Sequence, residues 1–169
     1  MKKLLKSWIA IYTKPRHEKR VAKELISKGY HTYLPLVKER RKWSDRKKWV
    51  ELPLFKSYLF VQTRLNETIH ILKIPGIVRI VKFGDKIAII NKKSIDSIKI
   101  LLKEGYKPKS TDYLLKGDSV IIKEGPLKGL TGEVTQLQDK NYFILKIDSI
   151  QSSISVKIDK AFLKSDKAK

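Results

Sequence analysis

The chain predicts an α+β domain, in which antiparallel sheet packs with helices, followed by a small all-β barrel. Three observations carry that prediction. Over the first 104 residues, strand-like runs alternate with segments whose apolar residues recur at three- and four-residue spacing. From Leu114 onward only short strand-like runs and turns occur, and Ile154, Val156 and Ile158 alternate cleanly. Between the two, Glu104 to Asp112 holds glycine, proline, serine and several lysines without periodicity, which suits an exposed linker. The expected division is 1–104, a linker at 105–113, and 114–169.

Trp8 to Tyr12 is a compact apolar and aromatic run, suited to a central strand buried on both faces. Thr13 is the expected cap of the first helix, Pro15 fits its first turn, and Val21, Ala22, Leu25 and Ile26 recur at helical spacing until Gly29. Arg16, Arg20 and Lys23 lie three or four residues apart and line one ridge of that helix. Tyr30 to Val37 reads as a strand, Lys38 to Lys48 as a charged hairpin turning at Ser44, Asp45, Arg46 and Lys47, and Trp49 to Val61 as strand broken near Pro53. Asn66 to Lys73 is a short helix capped by Asn66 and closed by Pro75 and Gly76. Ile77 to Val81 and Ile87 to Ile90 form a hairpin about Gly84 and Asp85. Ser94 caps a last helix that carries Ile95, Ile98, Leu101 and Leu102 on one face and ends at Gly105.

Charge restricts the partners. The net charge is +21 in 169 residues, and the first 50 carry 16 basic against 4 acidic side chains. Such a surface attracts polyanions through a long-range, salt-screened field, so nucleic acid is the default partner. No cysteine is present, which excludes disulfides and thiolate metal sites. At the start, Lys6 interrupts the apolar run and Tyr12 to Arg20 turns polar, unlike a signal peptide, and no segment approaches the roughly 18 apolar residues of a membrane span. A cytoplasmic protein with no membrane partner is expected.

The most informative stretch is 117–134. Val120 to Ile122 runs into Glu124, Gly125 and Pro126, then Leu127, Lys128, Gly129, Leu130 and Gly132, before a new β-branched run. Three glycines in eight residues suit a tight reversal of the backbone. This stretch resembles a KOW motif, the strand-loop-strand core of a small barrel found in ribosomal proteins and transcription elongation factors. Three further matches precede it in order: Trp8 to Glu18, Pro53 to Val61, and Ile74 to Val78. Together they make the whole chain similar to the NusG family of transcription elongation factors. The run from Lys14 to Glu18 and the hairpin from Trp43 to Trp49 look closest to the specialised UpxY- and RfaH-like paralogs, which act as antiterminators on particular operons. Two departures stand out: Lys56 and Ser57 occupy the place of a common Pro-Gly, and Leu127 and Leu130 stand where general NusG proteins often have phenylalanine.

The resemblance implies roles for particular residues. Tyr12, Phe55, Tyr58 and Phe60 correspond to aromatics that grip the β′ clamp helices of bacterial RNA polymerase, a helix-in-groove contact. Read from the residues alone, strand aromatics more often fill their own core. Ile69 and His70 fall where an RfaH-type contact reaches the β gate loop. Lys14, Arg16, His17, Arg20 and Lys23 lie where sequence-reading paralogs meet the non-template DNA strand, and a solvated helix face is the alternative. Arg40, Arg41, Arg46 and Lys47, with Lys42, Lys48 and two flanking tryptophans, form a second basic patch suited to nonspecific backbone contact. Leu127, Lys128 and Leu130 would recruit a second partner such as ribosomal protein S10 or Rho. The expected protein is a monomer with no cofactor and no metal.

Catalytic patterns are missing from the sequence. His17, His31 and His70 are widely separated, and there is no H-E-x-x-H, phosphate-binding glycine loop or G-x-S-x-G. A non-enzymatic antitermination factor is the leading expectation. A ribosomal or general RNA-binding KOW protein is the alternative from another class, and a housekeeping NusG is the third.

Overall fold

A computed structural model describes residues 5–42, 46–112, 118–125, 127–137, 140–157 and 163–165. The chain divides into two compact units, Met1–Lys92 and Lys93–Lys169.

The first unit is built on strand β1 (Ser7–Thr13), which pairs antiparallel with β5 (Tyr58–Thr63) along one edge. Along its other edge it pairs with β6 (Ile77–Ile80) and then β9 (Ile89–Ile90). Strand β2 (His31–Tyr33) pairs with β5, giving the order β2-β5-β1-β6. Alternation assigns the two faces. Ile9, Ile11, Leu59 and Val61 point one way and join Val21, Ala22 and Leu25 of helix α1 (Glu18–Ser27) in a single apolar core with Ile71, Ile74 and Ile80. Trp8, Ala10 and Tyr12, with Tyr58, Phe60 and Gln62 opposite them, take the other face.

Helix α1 ends as its sequence demands. Gly29 has φ +82, its N–H reaches Ile26 O at 2.9 Å, and the Tyr30 N–H reaches Leu25 O at 3.0 Å, the paired bonds of a Schellman ending. Its beginning differs from expectation. Thr13 is the buried last residue of β1, its hydroxyl takes no partner, and His17 occupies the N-cap position instead. The register explains this, because Thr13 is spent on the sheet opposite Ile77.

Strands β3 (Leu36–Lys42) and β4 (Lys47–Pro53) form an antiparallel ribbon, separated from β2 by Leu34 and Pro35 where one continuous strand was expected. Proline lacks the N–H that a continuing ladder uses. The expected turn at Ser44 and Asp45 lies outside the described residues, as does Trp43. A 3-10 turn at Leu65–Glu67 leads into the one-turn helix α2 (Thr68–Ile71), so Asn66 sits inside the turn and does not cap it. Only β7 (Lys82–Phe83) and β8 (Lys86–Ile87) make the hairpin about Gly84, since β6 and β9 are both taken by β1.

Helix α3 (Lys92–Lys103), whose first residue closes the first unit, leads the second and already includes Ser94, expected as its cap; Ile95, Ile98 and Leu101 are buried. Among the described residues six strands follow, all antiparallel: β10 (Lys109–Asp112), β11 (Asp118–Ile122), β12 (Thr131–Leu137), β13 (Lys140–Ile147), β14 (Ser152–Lys157) and β15 (Leu163–Ser165). Their order is β10-β14-β13-β12-β11-β15. Strand β10 lies within the stretch expected as linker and pairs with β14 from Lys109 to Asp112. Phe143, Ile144, Leu145, Ile154 and Val156 are buried. Gly132 is required by close approach, since a Cβ there would meet Ile144 O and the Phe143 ring at 2.6 Å.

Candidate functional site

One side of the first unit's sheet carries a row of polar-tipped rings. Tyr12 on β1 stands directly opposite Tyr58 on β5 and opposite Arg79 on β6. The tyrosine rings meet edge-on with centroids 5.1 Å apart, and the Arg79 guanidinium lies 4.8 Å from the Tyr12 centroid. This is cross-strand pairing combined with a cation–π contact. Tyr12 and Tyr58 are half-buried and Arg79 is exposed, so the row presents both ring area and hydrogen-bonding tips.

The other two aromatics assigned by sequence sit differently. Phe55 is 2% exposed and Phe60 is 0% exposed. They pack edge-on at 5.8 Å, and Tyr33 stacks on Phe60 at 6.4 Å. Burial pushes the Tyr33 hydroxyl well above its ordinary pKa, so it stays neutral. Placed so, Phe55 and Phe60 underlie the surface rather than form it.

A buried tie holds Tyr58 in place. Residues 55–58 form a turn in which the Tyr58 N–H reaches Phe55 O at 3.2 Å and Ser57 takes φ +63. That conformation favours glycine and costs a serine about 1 kcal/mol. Two contacts hold it: the Ser57 N–H donates to Glu18 Oε1 at 2.8 Å, and Ser57 O accepts from the Thr13 N–H at 2.8 Å. Glu18 is 6% exposed and lies in the first turn of α1, where a carboxylate is favoured by the helix dipole. The substituted Lys56-Ser57 pair therefore adopts a positive-φ turn, with the serine in the glycine's conformation. Neither Glu18 nor Arg79 was singled out from sequence. Arg79 could have been found from strand alternation, which sets it opposite Ile80, whereas the reach of Glu18 across 39 residues leaves no local signal.

The cations fall into separate places. Lys14 and Arg16 are exposed on the segment between β1 and α1, and Arg16 takes φ +65. His17 is half-buried with Nδ1 3.1 Å from Pro15 O, beside Gly76, whose φ of +98 and tight contact with Val21 leave no room for a side chain. Arg20 and Lys23 are exposed on the outward side of α1. Arg40 and Arg41 on β3 and Lys47 on β4 are exposed, as is Arg46 just before β4. Trp49 pairs with Arg40 there and is 57% exposed. Ile69 is 61% exposed and His70 is exposed, while the next residue, Ile71, belongs to the core.

In the second unit the expected apolar tip is turned inward. Leu127 is 1% and Leu130 is 8% exposed, and Lys128 alone of the three faces solvent. The Gly129 N–H reaches Ile122 O at 2.8 Å and the Ile122 N–H reaches Leu130 O at 3.0 Å, which folds the loop back onto β11. Gly125 and Gly129, at φ +82 and +88, make that reversal possible. Among the described residues no group of acidic, histidine or cysteine side chains is placed to hold a metal. No helix among them is long and apolar enough to cross a membrane.

Comparison with known proteins agrees with this architecture. A family model described as "Transcription termination factor nusG" matches residues 6–99, and one described as "KOW motif" matches 116–147. Among solved structures, "Domain interaction in Thermotoga maritima NusG" is 19% identical at a TM-score of 0.56, covering 96% of this chain and 98% of that one. At that identity it speaks for the fold. The "MjSpt4:Spt5 complex" in conformation B is 20% identical at a TM-score of 0.30, covering 95% of this chain and 97% of that one. Matched by the family model over more than half its length, the chain belongs to the NusG family of transcription factors.

Proposed function

We propose that the chain is a transcription elongation factor of the specialised, UpxY- and RfaH-like antiterminator branch, which binds bacterial RNA polymerase and suppresses pausing and termination without chemistry of its own. The observation that carries this reading is the row of Tyr58, Tyr12 and Arg79. Two rings fixed on adjacent strands lose little entropy on binding, and aromatic and arginine side chains are the commonest anchors of protein interfaces. They would seat the β′ clamp helices, with Phe55 and Phe60 as rigid backing. Ile69 and His70 would reach the β gate loop. Bridging both sides favours the closed clamp by binding it more tightly than the open one.

Lys14, Arg16 and His17 would meet the non-template DNA strand, while Arg40, Arg41, Arg46 and Lys47 would follow phosphates; Arg20 and Lys23, given to DNA by the resemblance, stand apart on the outward side of α1. Because Leu127 and Leu130 are interior, a contact of the KOW tip with ribosomal protein S10 or Rho would fall on Lys128 and its polar neighbours. A functional division into a leading and a trailing domain, a monomeric state and a cytoplasmic location belong to the same proposal.

Purification of the tagged chain from cells tests it. RNA polymerase should be the main companion, and polymerase recovery should fall when Tyr12 and Tyr58 are both alanine. Co-sedimentation with ribosomal subunits, indifferent to those two residues, would establish the RNA-binding alternative instead.

A further inference from the structure

The outward side of α1 and the segment joining β2 to β3 enclose an open groove, distinct from the tyrosine row. Its floor is aliphatic, with Ala22 and Ile26 from the helix and Leu34 and Leu36 from the segment, and Tyr33 beside them. Ile26 is 59% exposed, on a helix whose Val21 and Leu25 are wholly buried. Three cations, Lys19, Arg20 and Lys23, stand along the rim against one acid, Glu24. The groove holds about 1090 Å³ and lies open to solvent, so it suits the surface of a macromolecule better than an enclosed small molecule.

Two kinds of elongated polyanion could answer the rim. A nucleic acid strand would pair with the cations but leave the aliphatic floor unfilled, since bases bind by stacking on flat rings and among the lining residues the half-buried Tyr33 alone offers one. An acidic amphipathic helix answers both features at once. We propose that this groove docks such a helix from a partner protein. Its apolar side chains lie on Ile26, Leu34 and Leu36, and its carboxylates meet Lys19, Arg20 and Lys23.

The test uses the full chain and a fluorescein-labelled synthetic helical peptide with leucines on one face and glutamates on the other. Binding is read by anisotropy, and its location by amide shifts. The expected result is saturable binding with shifts confined to α1 and residues 32–36. Ile26→Glu should weaken it about tenfold or more, as loss of an interface anchor does. A peptide with serine in place of leucine should bind at least as weakly to the unaltered chain. Ile26 is exposed, so the variant should keep its thermal unfolding midpoint; Lys19→Glu combined with Lys23→Glu provides a second variant with the same expected loss. Equal binding of the serine peptide would overturn the proposal, as would unchanged affinity of both variants. So would a single-stranded oligodeoxynucleotide that shifts the groove amides when the peptide does not.

Discussion

The tyrosine row of the first unit and the glycine-rich tip of the second place candidate contact residues in opposite environments. Tyr12 and Tyr58 sit on strands, where alternate side chains must face opposite ways. Helix α1 covers one face, and its packing against Ile9, Ile11, Leu59 and Val61 commits the tyrosines to the other. Leu127 and Leu130 sit in a loop with no such alternation. There the loop folds back onto β11, and both leucines are buried. Apolar character alone therefore does not mark a docking surface; what matters is whether neighbouring structure has already claimed the side chain.

The largest expected effect follows from that contrast. Leu127→Asp places a carboxylate at a position 1% exposed, and losing the packing while burying an unpaired charge should destabilise the second unit by about 3–5 kcal/mol. Denaturant unfolding followed by amide exchange in β11 and β12 would measure it. Unchanged stability would mean that the leucine faces solvent and would erase the distinction between the two regions.

A smaller effect is expected at the support of Tyr58. Glu18→Ala removes the acceptor of the buried Ser57 N–H and should cost the first unit about 1–3 kcal/mol. Ser57→Gly should act in the opposite direction, stabilising by about 1 kcal/mol, because glycine adopts the φ of +63 without strain. Thermal unfolding of the two variants side by side sharpens the comparison. If Ser57→Gly were destabilising, the turn would not be strained and Glu18 would have another purpose.

Much of this was legible in the residues. Hydrophobic spacing located α1 and β1, Gly29 marked the end of α1, and the alternation of Ile154 and Val156 gave β14. What sequence misplaced was decided by longer-range pairing. Thr13 looked like a helix cap but is held in the ladder opposite Ile77, and 109–112 looked like linker but pairs with β14. At the site, the sequence named the aromatics without separating the half-buried Tyr12 and Tyr58 from the fully buried Phe55 and Phe60, because burial depends on what covers the sheet. Alternation sets Arg79 on the face opposite Ile80, but its place beside Tyr12 depends on the register of β6 with β1, a pairing of residues far apart in the chain.

The claim on which the functional reading rests is that the half-buried tyrosines, rather than the fully buried phenylalanines, form the contact with polymerase. Measuring the affinity of purified RNA polymerase for Tyr12→Ala combined with Tyr58→Ala tests it most directly, with thermal unfolding as the control for folding. Losing two aromatic anchors should weaken binding on the order of 100-fold or more while the unfolding midpoint changes little. Affinity equal to that of the unaltered chain, in a variant shown to be folded, would contradict the account.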